Sequence, residues 1–250
     1  MVAIILAAGC GKRLQINKPK GMLNIGCQPL IKYSIDSLES CGITKIIIVT
    51  GFAADSYERY LITINTKADI KLVHNESFNT SGSLYSLDLA LSYIENQNLS
   101  DDLVIMDSDI IYNRDEFMDF IAKNNDRNAI MASNVIEGRY DACYLEIGTD
   151  DSLLKISKNV NYISKNEGFY WEHIGIVKSS EQSIKELITY SKKMFRSNNS
   201  LHHEYDYVFE NLSRKYKIIK YPDYIWSEVD DNTQLHYLIT NIYPKLNLPY

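Results

Sequence analysis

The chain has 250 residues, 45% of them hydrophobic and 23% charged, a globular composition that excludes an intrinsically disordered or fibrous protein. Its net charge of −6 argues against a nucleic-acid-binding surface, which requires a clustered basic face. The four cysteines form no CxxC pair and have no histidine at zinc-ligand spacing, so we expect reduced thiols. Because no run of eighteen apolar residues and no leader-like segment occurs, we expect a cytoplasmic protein without a membrane segment.

The first 106 residues alternate apolar strands with amphipathic helices. The pattern predicts strands at 2–6, 45–50, 70–73 and 103–106, and helices at 29–40, 53–62 and 83–93. Strands separated by helices of this length build a parallel sheet with right-handed crossovers. In such sheets, ligands bind beyond the carboxyl ends of the strands.

The second half is less regular, with more strands than crossover helices. The pattern predicts strands at 129–135, 143–147, 153–156, 173–177, 217–221 and 226–229, and helices at 115–123, 181–195, 203–214 and from Asn232 onward. We therefore predict an α/β fold with a mixed, mostly parallel central sheet flanked by helices, and an antiparallel portion over the ligand crevice. No linker or repeat is present, which favours one domain, 1–250.

The first strand leads into a glycine turn that carries two cations, Leu6-Ala7-Ala8-Gly9-Cys10-Gly11-Lys12-Arg13-Leu14. Glycines let backbone N–H groups approach a phosphate closely, and cations neutralise its charge. A dinucleotide-binding turn would need a third glycine at position 14, where this chain has leucine. Pro19 stiffens the loop that carries Lys20, and Lys12, Arg13 and Lys20 lie within fifteen residues of one another. Attack on an α-phosphate requires such a concentration of positive charge, because negative charge accumulates in its transition state. The alternative is a solvated cationic loop.

As a whole, the string Leu-Ala-Ala-Gly-x-Gly-x-Arg-Leu is specific, and Asn17-Lys18-Pro19-Lys20-Gly21-Met22-Leu23 follows it. Both resemble the signature of the nucleotidyltransferases that activate sugar phosphates and small phospho-alcohols with CTP, UTP or dTTP. The resemblance implies a Rossmann-like, GT-A-type fold and catalytic roles for Arg13 and Lys20. It also implies nucleotide contacts from Leu6, Ala8, Gly9, Gly11 and Lys12.

A polar segment, Asn79-Thr80-Ser81-Gly82-Ser83-Leu84, immediately precedes a predicted helix. Ser81 or Ser83 could simply cap that helix. In the family, a Gly/Ser segment here reads the pyrimidine edge, and this short form looks most like the cytidylyltransferases that act on phosphocholine and on phosphonates. The resemblance therefore implies CTP as the donor and assigns the base contacts to Asn79, Ser81, Gly82 and Ser83.

Two acidic segments far apart in the sequence end short apolar runs, one at Asp107-Ser108-Asp109 and the other at Glu228-Val229-Asp230-Asp231. Carboxylates are natural ligands for Mg²⁺, although the same residues could only cap strand ends. Asp109 and Asp230 match the metal-binding positions of the family, which implies Mg²⁺ as cofactor. Asp107 is assigned to the nucleotide, and Asp231 is expected to start the last helix.

The acceptor pocket is the least specified part of the predicted site. Its candidates lie near predicted strand ends or on one helix of the second half: Tyr140, Tyr144, Trp171, Glu172, His173, Tyr205, Asp206 and Tyr207. An aromatic cage would suit a quaternary ammonium, whereas Glu172 and Asp206 would suit a primary amine. We select Tyr144, Glu172, Tyr205 and Asp206. We expect His173 to be a strand histidine with a structural partner, because an ionised phosphate nucleophile needs no base.

The resemblance implies transfer of CMP from CTP to a small phosphorylated or phosphonate acceptor, with release of pyrophosphate. It divides the single domain into a nucleotide-binding half, 1–110, and an acceptor-binding half, 111–250. Phosphocholine, phosphoethanolamine, 2-aminoethylphosphonate and a phosphoramidate such as phosphorylated glutamine remain open, and the family's products serve cell-surface polysaccharide or lipid decoration. Two alternatives are a sugar-1-phosphate uridylyl- or thymidylyltransferase and a non-catalytic nucleotide-sensing domain. The sequence leaves the oligomeric state open.

Overall fold

The computed structural model describes residues 1–123, 128–135, 141–163, 171–198 and 201–246. The strands are β1 (Val2–Ala7), β2 (Asn24–Ile25), β3 (Gln28–Pro29), β4 (Lys45–Thr50), β5 (Asp69–His74), β6 (Leu103–Asp107), β7 (Ile110–Tyr112), β8 (Ala129–Asn134), β9 (Tyr144–Ile147), β10 (Leu153–Ser157), β11 (Trp171–Ser179), β12 (Lys217–Tyr221) and β13 (Trp226–Glu228). The helices are α1 (Leu30–Ser40), α2 (Ala54–Thr63), α3 (Ser83–Asn96), α4 (Arg114–Ala122), α5 (Glu181–Asn198), α6 (Asp206–Asn211) and α7 (Asn232–Tyr237).

Nine of these strands form one mixed sheet, as the sequence predicts. Strand β1 lies between β4 and β6, β5 extends the sheet beyond β4, and all these pairs are parallel. Strand β11 runs antiparallel to β6, β8 and β9 and joins the two halves of the chain. The carboxyl ends of β1, β4, β5 and β6 therefore open on one edge, where the sequence analysis places the ligand.

Helices cover both faces of the sheet because the residues of β1 alternate between two hydrophobic clusters. Residues 2, 4 and 6 pack with apolar residues of α3, α5 and α6, whereas residues 3, 5 and 7 pack with those of α1 and α4. The spacing of Ile31, Ile35 and Leu38 places all three on the buried face of α1. A third cluster joins Leu14 of the glycine turn to Leu238 and Ile242, so the C-terminal segment packs against that turn.

The structure differs from the predicted elements mainly at two places. The predicted bounds of the helix at 203–214 are wrong, because the helix spans only Asp206–Asn211. The segment before it forms backbone hydrogen bonds to the start of α3 instead of extending the helix. Strand β7, which the sequence analysis missed, pairs antiparallel with β13 in a separate two-stranded sheet. In the described parts of the chain, no helix is both long and apolar enough to cross a membrane.

Candidate active site

The glycine turn supports the side chain of Lys20. Gly11 has a φ of +54°, a left-handed conformation that most side chains disfavour, and precedes the short 3₁₀ turn Lys12–Leu14. A Cβ atom at Gly11 would lie 3.1 Å from the Lys20 Cγ. The turn and the lysine predicted from the sequence are therefore in direct packing contact.

Lys20 and Arg13 both contact acidic residues that the sequence analysis assigns to a metal. The Lys20 Nζ lies 2.7 Å from the Asp109 Oδ2 and also contacts the Asp230 Oδ1. The Arg13 Nη2 lies 2.7 Å from the Asp230 Oδ2. Two cations from the first twenty residues thus meet carboxylates that are 89 and more residues away in the sequence.

The pairing of β7 with β13 brings the two acidic segments together. Glu228 is opposite Ile110 in this pair, and the Val229 N–H donates to the backbone oxygen of Asp109 at 2.9 Å. Asp109 directly precedes β7 and Asp230 follows β13. A two-stranded sheet, which the hydrophobic pattern does not predict, therefore sets the distance between Asp109 and Asp230.

The electrostatics of the site favour the charged forms of Lys20 and Asp230. Burial by itself lowers the pKa of Lys20, but the charges of Asp109 and Asp230 outweigh it, and the net pKa is raised. Burial by itself raises the pKa of Asp230, but Lys20 and Arg13 lower it to about 2. At neutral pH the site therefore holds an ionised Asp230 carboxylate paired with a charged Lys20.

Asp230 should contribute to stability at neutral pH and lose that contribution in acid. Its pKa of about 2, against an ordinary value of 3.8, corresponds to about 2 kcal/mol, present above pH 4 and lost as pH falls through 2. We expect denaturant unfolding between pH 5 and pH 2.5 to show a larger loss of stability in the wild type than in Asp230→Asn. Equal losses in the two proteins would contradict this account.

Three carboxylates could together hold a divalent cation. Asp141, Glu228 and Asp230 each offer an oxygen within 4.8 Å of the others. Hard cations such as Mg²⁺ prefer oxygen ligands and often use only one or two carboxylates beside phosphate oxygens. The donor set therefore fits a divalent cation. Neither Asp141 nor Glu228 was selected from the sequence.

The segment 201–205 holds the polar loop before α3 in place. The Gly82 N–H donates to the Leu201 oxygen at 2.7 Å, and a Cβ atom at Gly82 would lie only 2.2 Å from the His203 oxygen. The Ser83 hydroxyl donates to Glu204 and accepts from the Tyr205 N–H at 2.9 Å. Gly82 is the N-cap of α3, so neither Ser81 nor Ser83 occupies the capping position that they could have filled.

Asn75 positions Ser81 within this loop, although the sequence analysis did not select it. The buried Asn75 amide donates to the hydroxyls of Ser81 and Ser86 at 3.1 and 3.0 Å, and its oxygen accepts from the Ser77 N–H. Asn75 immediately follows β5. A polar residue directly after a predicted parallel strand was the available signal for it.

A polar network joins Asp107 to the second half of the chain. The Tyr205 hydroxyl donates to the Asp107 Oδ2 at 3.2 Å and lies 3.0 Å from the His173 Nε2, which lies 3.4 Å from Asp206. Burial and then the nearby charges of Asp109, Asp206 and Glu228 raise the pKa of Asp107. Burial alone would raise the pKa of Asp206, but His173 and Lys158 lower it. His173 is a buried strand residue with a structural partner, as expected.

These groups surround a cavity of about 310 Å³ at the carboxyl ends of the strands. The selected residues that line it are Leu6, Ala8, Gly9, Arg13, Lys20, Ser81, Gly82, Ser83, Asp107, Asp109, Tyr205, Asp206 and Asp230. Gly11, Lys12, Asn79, Tyr144 and Glu172 are not among its lining residues. Lining residues that the sequence analysis missed include Asn75, Phe78, Ser86, Ser108, Lys158, Glu204 and Glu228.

The aromatic cage remains a prediction. Among the described residues, the aromatic side chains that line the cavity are Phe78 and Tyr205. Trp171 lies on β11 with Lys220 over its ring, and Tyr207 is exposed. Tyr144 and Glu172 are paired across β9 and β11. Tyr140, another candidate, lies outside the described residues.

A comparison with known protein families finds a match over most of the chain. A family model described as MobA-like NTP transferase domain matches residues 3–206. The match includes the glycine turn, Lys20 and Asp109, and it ends before Asp230.

The similar curated proteins include several with cytidylyltransferase names, of which two show the range of coverage. Choline-phosphate cytidylyltransferase of Streptococcus pneumoniae is 38% identical over 102 residues, which cover 38% of this chain and 43% of that protein. CTP:phosphoglutamine cytidylyltransferase of Campylobacter jejuni is 28% identical over 256 aligned positions, covering 92% of this chain and 96% of that protein. The match to the first therefore spans less than half of that relative's length, whereas the match to the second spans nearly all of it.

Solved structures share the fold. The structure of CTP:phosphocholine cytidylyltransferase from Streptococcus pneumoniae has a TM-score of 0.73 at 21% identity, covering 95% of this chain and 97% of that one. At this identity, the likeness concerns the fold alone. Proteins named for sugar 1-phosphates also occur among the similar sequences and structures.

Proposed function

The chain belongs to the MobA-like NTP transferase family, and from this premise we propose that it is a cytidylyltransferase. It transfers CMP from CTP to a small phosphorylated or phosphonate acceptor and releases pyrophosphate. The observation that carries the proposal is the convergence of Lys20 and Arg13 with Asp109 and Asp230 at the edge of one cavity. Two cations that suit a triphosphate and two carboxylates that suit a metal ion therefore lie side by side.

The reaction is a displacement at the α-phosphorus of the nucleotide. An oxygen of the acceptor's phosphate or phosphonate forms the new bond, and the bond from the α-phosphorus to the bridging oxygen of the β-phosphate breaks. Pyrophosphate leaves with both bonding electrons. Because the acceptor oxygen is already ionised near neutral pH, no general base is needed. Negative charge increases on the leaving group, and Lys20 and Arg13 stabilise that charge.

Asp109 and Asp230, with Asp141 and Glu228 beside them, are the residues that would hold Mg²⁺. When bound, the ion neutralises charge on the phosphate oxygens and helps to align the reacting groups. In the protein described here, Lys20 bridges Asp109 and Asp230. Binding of a nucleotide with its metal therefore requires Lys20 to exchange carboxylate contacts for phosphate contacts.

The first half of the chain, 1–110, supplies the nucleotide contacts. Gly9, just after β1, and the loop of Ser81 and Gly82 line the same cavity. We assign the triphosphate to the glycine turn and the pyrimidine base to the short hydroxyl groups of the loop. The names of the Streptococcus pneumoniae and Campylobacter jejuni relatives support CTP over UTP or dTTP. Since CTP is a cytoplasmic metabolite, the proposal places the enzyme in the cytoplasm.

The second half, 111–250, supplies the acceptor end of the cavity. Lys158, Glu204, Tyr205 and Asp206 line it there, so its described surface combines a cation with two carboxylates and a phenol. Burial by itself lowers the pKa of Lys158, but the charges of Asp206 and Glu204 outweigh burial. The net pKa is raised, so this lysine is charged at neutral pH. The surface suits a small polar acceptor with charged groups.

A pyrophosphate-release screen tests the proposal. CTP, UTP, dTTP and GTP are each offered with Mg²⁺ and with phosphocholine, phosphoethanolamine, 2-aminoethylphosphonate, a phosphorylated amino-acid amide or glucose 1-phosphate. We expect release with CTP and one of the first four acceptors. Preferred turnover of UTP or dTTP with the sugar phosphate would replace the proposal by its nearest alternative. Tight CTP binding without turnover on any acceptor would indicate a sensing domain.

Gly9→Ala should separate nucleotide binding from folding. A Cβ atom at Gly9 would meet no atom within 4 Å, and Gly9 does not have a positive φ, so we expect an unchanged melting temperature. The added methyl group projects where the triphosphate must approach the backbone, and we expect the KM for CTP to rise about tenfold, or about 1.4 kcal/mol. Thermal melting and steady-state kinetics check this. An unchanged KM would contradict the placement of the triphosphate.

A further inference from the structure

Gln234, in the first turn of α7, connects three parts of the chain. Its Oε1 accepts from the Asp230 N–H at 2.6 Å, and its own N–H donates to the Asp231 Oδ1 at 2.9 Å. Its Nε2 donates to both carboxylate oxygens of Asp141, at 3.0 and 3.1 Å. Asp141 is 93 residues away in the sequence.

Helix capping explains only part of this arrangement. In a capping box, the side chain at the third helical position accepts from a backbone N–H at the start of the helix, while the N-cap side chain accepts in return. Gln234 and Asp231 do this, with the acceptor bond reaching back to Asp230. A capping role requires no hydrogen bond from the side-chain amide nitrogen of Gln234. Here that nitrogen donates to both carboxylate oxygens of Asp141.

The contacts form a closed ring around the cationic end of the cavity. Asp141 lies 3.4 Å from the Arg13 Nη1, and the Arg13 Nη2 lies 2.7 Å from Asp230. The ring closes at the backbone N–H of Asp230, which donates to the Gln234 Oε1. Arg13 is half exposed, and a long exposed side chain samples many rotamers unless it has several fixed partners.

We propose that Gln234 and Asp141 are positioning residues for phosphoryl transfer: Gln234 fixes the Asp141 carboxylate, and together they hold Arg13 and Asp230 in their reactive orientation. This inference rests on the proposed function and adds two residues to its machinery. Gln234 lies beyond the part of the chain that the family model matches, and neither residue belongs to the sequence motifs of the first half. Preorganised charges act more strongly in a transition state than charges that must first be oriented.

The ring predicts a specific kinetic result. Asp141→Asn leaves the cap of α7 intact, but Asp141 is also one of the three carboxylates that could hold a divalent cation. Loss of a metal ligand would raise the Mg²⁺ concentration needed for half-maximal rate. Loss of positioning should instead lower kcat about tenfold to hundredfold, the usual effect of removing a partner of a functional group, with the KM for CTP changed less than threefold. Gln234→Met, which alters no charge, should lower kcat by a similar factor.

The double variant tests whether the two residues act as one unit. We expect D141N/Q234M to be no slower than the slower single variant, because residues in one network are not additive. Gln97→Met, at an exposed residue following α3, is the matched control and should have wild-type kinetics. If Gln234→Met does not fold, Gln234→Glu replaces it, since a carboxylate still caps α7 but repels Asp141.

Each outcome has a separate meaning. Single variants with kcat within twofold of an active wild type, or single effects that multiply in the double variant, would overturn the positioning role and leave the proposed function intact. A lower melting temperature with unchanged kcat would assign the ring to stability alone. A wild type that turns over no triphosphate would remove the proposed function and this inference with it.

Discussion

Replacing Lys20 by methionine should lower the kcat for CMP transfer about 10²–10³-fold, because loss of one charge-stabilising donor costs about 3–4 kcal/mol of transition-state stabilisation. Methionine preserves most of the apolar stem that packs on Gly11. The ammonium group, which contacts Asp109 and Asp230, is lost. Steady-state kinetics with CTP and the best acceptor of the screen measures the effect.

The same substitution should strengthen the binding of a divalent metal ion to the protein without nucleotide. Lys20 bridges the carboxylates that the metal needs, so its removal should strengthen Mn²⁺ binding to the free protein, measured by electron paramagnetic resonance. Lys45→Met, at the exposed amino end of β4, is the matched control and should change neither quantity. Unchanged turnover in Lys20→Met would refute its catalytic role, and unchanged Mn²⁺ affinity would refute the competition.

Asp230→Asn should reduce kcat by at least about a hundredfold, comparable to removal of a charge-stabilising group in other active sites. The substitution retains the volume of the side chain and the backbone N–H that donates to Gln234. It removes the charge that holds both Lys20 and Arg13 and that neighbours Asp141 and Glu228. A metal ligand and the partner of two cations are thus lost together.

A divalent-ion titration identifies the cause of the loss. If Asp230 holds the metal, Asp230→Asn should need a higher Mg²⁺ concentration for half-maximal rate, and its Mn²⁺ affinity should fall at least tenfold. Asp69→Asn, at the exposed start of β5, is the matched control. A variant with reduced kcat but an unchanged metal requirement would limit Asp230 to orienting Lys20 and Arg13.

The predicted strands and helices of the first half are confirmed because their signals are local. Buried parallel strands read as continuous apolar runs, and α1 shows its apolar face at helical spacing. The error at 203–214 has a tertiary cause. The segment before α6 accepts backbone hydrogen bonds from Gly82 and Leu84. These long-range bonds replace helix formation, and the residues of the segment carry no local signal of them.

The sequence by itself determined the parallel half of the sheet, because buried parallel strands read as continuous apolar runs. It also selected Lys20 from the cationic string after the glycine turn, and Asp109 and Asp230 from the short apolar runs that they follow. Only the tertiary structure decided how these groups meet. The pairing of β7 with β13 sets the approach of Asp230 to Asp109, and the first turn of α7 places Gln234 against Asp141. Such contacts depend on distances across the chain, which neither periodicity nor local propensity encodes.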